Sequence, residues 1–310
     1  MGKFVVITDS SSDLTQEIRE RFDIEYVPGH ITLPNGKVVD QLLEWTPEYD
    51  RKEFYAGIRK GEVYSTAPAS PTETAEVFKK FIKEGKAIVS LSISTALSGT
   101  YNFTTEARDI VLKEIPDAEI YCIDTLRYSS LQGLMCVYAA MLRDEGKTAK
   151  ETYDWLEANK NRFHSMGWVD DLKFLAVKGR MSNAKAFMGT LIGIKPLGEN
   201  SSSGLTTIIG KAKGAKAGFE ACIRYIEETI ENPQDQIVFV ATTDREEDTI
   251  KYKQMIEERI KPKEVILTYV FPSCGVNIGP GLMCAYYVGK PISDDMKAET
   301  DLMTSILEKK

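Results

Sequence analysis

Three short strand-like runs, Phe4 to Thr8, Ala87 to Leu91 and Glu119 to Ile123, each break off into hydroxyl- or carboxylate-bearing turn residues and then into a segment with helical spacing. No other feature restricts the fold of this chain so strongly. Strands that are apolar at successive positions are covered on both faces, as in a parallel sheet. Parallel neighbours need crossover connections, and the helical segments supply them. The expectation is an α/β chain whose N-terminal part is a three-layer α/β/α domain with a mostly parallel sheet.

Function in such sheets gathers at the carboxyl ends of the strands. The first run ends in Asp9-Ser10-Ser11-Ser12-Asp13, where Asp13 with Gln16 suits a capping box for a helix burying Leu14, Ile18 and Phe22. Asp9 and Ser10 either line a site or belong to a capped turn. The second run opens into Ser92-Ile93-Ser94-Thr95-Ala96-Leu97-Ser98-Gly99-Thr100-Tyr101. A strand ending there and feeding a helix turns free backbone N–H groups and the positive end of the helix dipole towards one small volume, which favours an anionic oxygen. Ser94, Thr95, Ser98 and Thr100 add hydroxyl donors, and Gly99 lets a ligand atom approach the backbone. An ordinary helix cap built from Ser and Thr is the other reading. Ser65 and Thr66 lie in a further hydroxyl-rich stretch, Tyr64 to Pro71, that two prolines keep extended. It is either a second loop of an oxyanion site or a plain connection.

Between these, Pro34-Asn35-Gly36 joins Tyr26 to Leu33 and Lys37 to Asp40 as a hairpin carrying His30. Thr46-Pro47 opens a helix that Gly61 closes. The next helix turns Ala75, Phe78 and Ile82 inward. From Phe163 onward short strands beside turns predict a second domain, α/β with a mixed or antiparallel sheet. The division is expected as residues 1–161 and 162–310. The second part carries Trp168 to Arg180, the apolar stretch Ala186 to Pro196, a loop from Pro272 to Gly281 and a tail helix with Met296, Leu302 and Ile306 apolar.

Composition narrows the function classes. With 43% apolar and 27% charged residues the chain is a soluble globular protein. It shows neither an apolar run long enough to span a bilayer nor a signal peptide, so a cytoplasmic location without an integral membrane segment is expected. A net charge of −7 without a Lys/Arg cluster speaks against nucleic acid as a partner. The five cysteines have no Cys-x-x-Cys spacing, and with only two histidines neither metal nor other cofactor is indicated.

Six stretches in order, ITDSSSDL at Ile7, STAP at Ser65, ISTALSGTY at Ile93, VDDLKFLAVKGR at Val169, AFMGTLIGIKP at Ala186 and GVNIGPG at Gly275, resemble the DegV family of bacterial fatty-acid-binding proteins. The likeness runs to about Gly289. It implies two α/β domains clasping one long-chain fatty acid, and a non-catalytic role in phospholipid metabolism. The chain then acts as the binding subunit of a fatty acid kinase, presenting the carboxylate to a separate kinase subunit that makes the acyl phosphate. The resemblance carries the carboxylate contacts onto Thr66 and Ser98, with Ser65, Gly99 and Thr100 around them, and sets Arg180 near the ligand mouth. Asn277 stands where the family's Gly-x-x-His-x-Gly-x-Gly loop has histidine, and asparagine cannot become cationic. Phe187, Met188, Leu191 and Ile192 are candidates for the wall around the acyl tail. Two other functions remain open: a serine hydrolase or acyltransferase using Ser98, with His30 or His164 as base, and a binding protein for another small anion.

Overall fold

The computed structural model describes residues 4–45, 50–183 and 193–309. The chain forms two compact units, Met1–Trp45 with Val63–Lys160 and Phe271–Cys274, and Thr46–Glu62 with Asn161–Val270 and Gly275–Lys310. In chain order the first part comprises β1 (Phe4–Asp9), α1 (Gln16–Phe22), β2 (Ile24–Val27), β3 (His30–Thr32), β4 (Val38–Asp40), α2 (Arg51–Arg59), β5 (Ser65–Ala67), α3 (Pro71–Lys83), β6 (Ala87–Ser92), α4 (Thr100–Glu114), β7 (Ile120–Asp124), α5 (Ser130–Asp144) and α6 (Ala149–Asn159). Of these, α2 counts with the second unit.

Strands β1, β2, β6 and β7 make a four-stranded sheet in the order β2-β1-β6-β7, with every pairing parallel. One face, through Val5, Ile7, Ile88 and Ile120, meets Ala75, Phe78 and Phe81 of α3 and Ala107 and Val111 of α4. The opposite face, with Val6, Val89 and Ile123 all at 0% exposure, lies against α5 and α6. This two-sided burial is why the strands read as unbroken apolar runs. The strand order reverses between β1 and β6, and in open α/β sheets the carboxyl ends of the strands at such a reversal are where ligands bind.

Local chemistry redraws several expected elements. Asp13 does not cap α1. It sits in the left-handed region at φ 53°, after a 3₁₀ turn over Ser10–Ser12, and Thr15 takes the capping place. The run from Tyr26 to Leu33 is two strands parted at Pro28-Gly29, one joining the parallel sheet and the other, β3, pairing antiparallel with β4 and β5. Gly29 has to be glycine here: a Cβ would stand 2.7 Å from the Ala67 carbonyl oxygen and 3.2 Å from Ser10 Oγ. The stretch at Ser65 is thus a strand, and that close approach sets it beside the carboxyl end of β1. Asp50 caps α2 through Lys52 and Glu53 N–H; Thr46 and Pro47 lie outside the described residues.

The second unit continues with β8 (Phe163–Val169), α7 (Lys173–Val177), β9 (Ile194–Asn200), β10 (Thr206–Lys213), α8 (Gly214–Thr229), β11 (Ile237–Thr242), α9 (Glu246–Arg259), β12 (Glu264–Tyr269), α10 (Pro272–Ile278), which counts with the first unit as far as Cys274, β13 (Leu282–Val288) and α11 (Lys297–Glu308). Its six-stranded sheet runs β10-β9-β8-β13-β11-β12. Only β11 and β12 pair in parallel, so the sheet is mixed. The expected loop from Pro272 is helical as far as Ile278. In the tail helix the fully buried side chain is Met303, with Ile306 beside it in the core, and its Cγ would lie 2.5 Å from a Cβ added at Gly210 of β10.

Candidate functional site

The turn after β6 is held from behind. Ile93 N–H donates to Asp9 Oδ2 at 2.9 Å, tying the ends of β6 and β1 together at the reversal point. Ser94 is fully buried. Its N–H donates to the Arg127 carbonyl at 2.9 Å, and its own carbonyl accepts Leu97 N–H at 3.0 Å and Ser98 N–H at 3.1 Å. Its hydroxyl accepts Ala96 N–H at 3.2 Å. Thr95 donates its N–H and hydroxyl to Asp124 at the end of β7, at 3.2 and 2.6 Å. Those two hydroxyls are therefore committed to the turn.

Ser98, Gly99 and Thr100 have a different environment. Helix α4 starts at Thr100 with Gly99 in the capping position, and no side chain caps it. Ser98 Oγ and Thr100 Oγ1 lie 2.8 Å apart, and Ser98 Oγ accepts Thr100 N–H at 3.3 Å. Gly99 is exposed, and a Cβ built there meets nothing within 4 Å. The fifteen-residue helix has no side chain at its capping position, and its first N–H, that of Thr100, meets the Ser98 hydroxyl of a pair of small hydroxyls. That arrangement suits an anionic oxygen. The ordinary Ser/Thr cap weighed from the sequence is not what forms.

Thr66 lies on β5 opposite Ile31, half-buried, and Ser65 opposite Thr32, exposed. Ser10 fastens this small sheet to β1: its hydroxyl donates to Gln41 Oε1 at 2.6 Å and accepts Gly29 N–H at 3.2 Å. The structure joins Ser98 to Thr100 directly and brings Thr66 into the same unit on another element. Arg180 and Asn277 belong to the second unit. Arg180 follows Gly179, whose φ of 69° ends α7, and its guanidinium donates to the Lys178 carbonyl. Asn277 is half-buried in α10. Phe187, Met188, Leu191 and Ile192 fall outside the described residues.

Behind the turn, with Asp9 and Asp13, stand Gln132 and Arg127, which the sequence did not single out. Gln132 of α5 donates through Nε2 to Thr8 Oγ1, Asp9 Oδ2 and the Leu91 carbonyl, at 3.0, 3.1 and 3.3 Å. Asp13 accepts Phe271 N–H at 2.8 Å and the Ser129 hydroxyl. Burial pushes the Asp9 carboxyl above its usual range, against the hydrogen bonds from Ile93 and Ser11. The same cause raises Asp13 further. Arg127, at 0% exposure, donates through Nη1 to the Leu126 carbonyl at 2.8 Å. Their contacts link positions up to 258 residues apart, so periodicity and spacing carry no trace of them.

Neither histidine is arranged as a base for Ser98. His30 is flanked by Asp40 and Glu73, each at 3.3 Å. His164, buried in β8, uses Nδ1 on Glu199 Oε2 at 2.8 Å and Nε2 on the Lys290 carbonyl at 2.7 Å. Among the described residues no cluster of His, Cys, Asp and Glu could hold a metal ion, and no helix is long and apolar enough to cross a membrane.

Comparison with known proteins matches residues 3–290 to a family model described as an uncharacterised protein of the DegV family. A DegV domain-containing protein of Clostridium perfringens is 34% identical over 290 residues, covering 93% of this chain and 98% of its own length. The solved structure of a DegV family protein from Thermus thermophilus, described by its fatty acid binding, superposes with a TM-score of 0.82 at 26% identity, covering 93% and 100% of the two chains. The fatty acid kinase B3 protein of Streptococcus pneumoniae, solved loaded with linoleic acid, shares the fold at a TM-score of 0.76 and 19% identity, over 93% of this chain and all of that one. The family match ends before α11.

Proposed function

We propose, starting from the fact that this chain belongs to the DegV family, that it binds one long-chain fatty acid and presents the carboxylate to a separate kinase subunit, which forms the acyl phosphate. The chain itself is the non-catalytic, substrate-presenting partner and works in the cytoplasm. One observation carries this reading: the start of α4 at the reversal point of the parallel sheet has no side-chain cap, with Ser98 and Thr100 bonded to each other beside it. A carboxylate is the chemistry that these N–H and hydroxyl donors lack. Each charge-assisted hydrogen bond contributes on the order of 1.5–3 kcal/mol. Thr66 serves as the second hydroxyl of the head-group site, with Ser65 and Gly99 framing it.

Head-group recognition is assigned to the first domain, 1–161, and enclosure of the acyl chain to the second, 162–310. Each methylene removed from water contributes about 0.8 kcal/mol, so the tail supplies most of the affinity and the donors supply its polarity. Arg180 and Asn277 are assigned to the ligand mouth through the family resemblance. The binding proteins among the relatives, from T. thermophilus and S. pneumoniae, support the choice of ligand. Ser98 as a catalytic nucleophile finds no support, because its hydroxyl partner is Thr100 and both histidines are engaged elsewhere.

Native mass spectrometry of the protein as purified, followed by solvent extraction, tests the reading. A long-chain fatty acid in the extract, or stoichiometric uptake of palmitate or oleate by the emptied protein, is expected. A polar phosphorylated ligand in its place, with no uptake of either acid, would overturn it and would point to Asn277 as the mark of a changed ligand.

A further inference from the structure

We infer that an anionic ligand entering the Ser98–Thr100 turn draws a proton into the buried carboxylates behind it, with Asp9 the acceptor; this rests on the functional reading above. The two carboxylates, Asp9 and Asp13, flank the 3₁₀ turn that ends β1. Every hydrogen bond that Asp9 accepts comes from a neutral donor: Ser11 N–H at 2.7 Å, Ile93 N–H at 2.9 Å and Gln132 Nε2 at 3.1 Å. Asp13 likewise has only Phe271 N–H and the Ser129 hydroxyl. Among the described residues neither carboxylate forms an ion pair with a lysine or arginine.

The thiols facing this pair give no positive charge. Cys136 on α5 is a buried thiol pushed up to about 12, and Cys274, at the start of α10, is held neutral by burial as well, its Sγ donating to the Ser11 carbonyl. At the neighbouring strand end Asp124 is taken up by Thr95, and Lys160 Nζ reaches its carbonyl rather than its carboxylate. The buried cation of this region, Arg127, donates to the Leu126 carbonyl. A ligand carboxylate therefore arrives in front of carboxylates whose negative form is already disfavoured. Repulsion over about 10 Å at an effective dielectric near 20 moves a titration by about one pH unit. Asp9 is the nearer candidate, because its own hydrogen bond fixes Ile93 at the root of the ligand turn. Protonating Asp9 removes that repulsion and leaves one of its oxygens free to keep the Ile93 bond.

Calorimetric titration with hexadecyl sulfonate, which stays anionic throughout, separates protein protonation from that of the ligand. Repeating it at one pH in buffers of different ionisation enthalpy counts the protons exchanged. The expected result is uptake of up to about 0.5 proton per sulfonate where Asp9 titrates, with affinity falling up to about threefold per unit rise in pH, and no uptake with hexadecanol. Asp9→Asn, which retains an oxygen for Ile93 N–H, is expected to abolish the uptake. Sulfonate binding without proton exchange in the native protein would overturn the inference and leave the functional reading intact, and so would unchanged uptake in Asp9→Asn. If palmitate and the sulfonate both fail to bind, the functional reading falls and takes this inference with it.

Discussion

Two helices of the first unit begin after hydroxyl-rich stretches, and they begin differently. At α3 the Ser70 hydroxyl accepts Glu73 N–H while the Glu73 carboxylate accepts Ser70 N–H, a complete capping box. At α4 the preceding residues are Ser98 and Gly99, and the helix start has no side-chain cap. The first helix satisfies its own N-terminus and needs nothing further. The second stands at the reversal point of the parallel sheet with no capping side chain, only Thr100 N–H meeting a hydroxyl there, that of Ser98. Helix α5 shows that lacking a cap is not sufficient: its start is also uncapped, but Ser129 there is fully buried and its hydroxyl goes to Asp13. A receptive helix start has to be both uncapped and open.

The sharpest way to break this contrast is to give α4 the anion that it lacks. Gly99→Asp has room for its side chain and places a carboxylate on the positive end of the dipole. We expect about 0.5–1 kcal/mol of added stability in thermal unfolding, together with a loss of palmitate affinity of about 100-fold or more through direct competition. Ser98→Ala comes next: about 10- to 100-fold weaker binding of the acid with unfolding unchanged within about 0.5 kcal/mol. Ser70→Ala should show the converse pattern, about 1 kcal/mol less stable with palmitate affinity unaltered. Paired melting curves and binding isotherms read all three.

A smaller effect concerns the scaffold beneath the turn. Burial raises the folded-state titration of Asp13 above that of the unfolded chain, so its contribution to stability is full below the unfolded value and is lost as pH rises through the folded one. Thermal scans upward from about pH 4, the unfolded carboxylate range, should show the native protein losing more stability than Asp13→Asn. Asparagine tolerates the left-handed φ of 53° at this position and stays neutral. Parallel curves for the two proteins would contradict this.

What could be read from the residues follows what is local. The parallel strands were legible because burial on both faces leaves unbroken apolar runs, and the turn after β6 because strand, hydroxyls and helix follow one another directly. Asp13 was misread as a cap because the rule compares residues three apart, whereas its partners are Ser129 and Phe271, far along the chain. The strand at Ser65 was read as a loop because three residues with two prolines nearby carry no period, and only pairing with Ile31 and Thr32 makes them a strand. The helix at Pro272 was hidden by glycines at Gly275, Gly279 and Gly281 that suggest a loop. In the tail helix Met303, which the apolar reading of Met296, Leu302 and Ile306 left out, is fully buried, because the hole for it is made by the missing side chain of Gly210. Gln132, Arg127 and the buried role of Asp9 needed the fold before they meant anything.

The central claim is that the open start of α4 receives a carboxylate, and a matched pair of ligands tests it most directly. Palmitate and methyl palmitate share the tail and differ in charge, so the ratio of their affinities isolates the head-group site. The account predicts that the native protein prefers the acid by about tenfold or more, and that Ser98→Ala brings the ratio close to one mainly by weakening the acid. Equal affinities in the native protein, or a preference for the acid that survives Ser98→Ala undiminished, would contradict it.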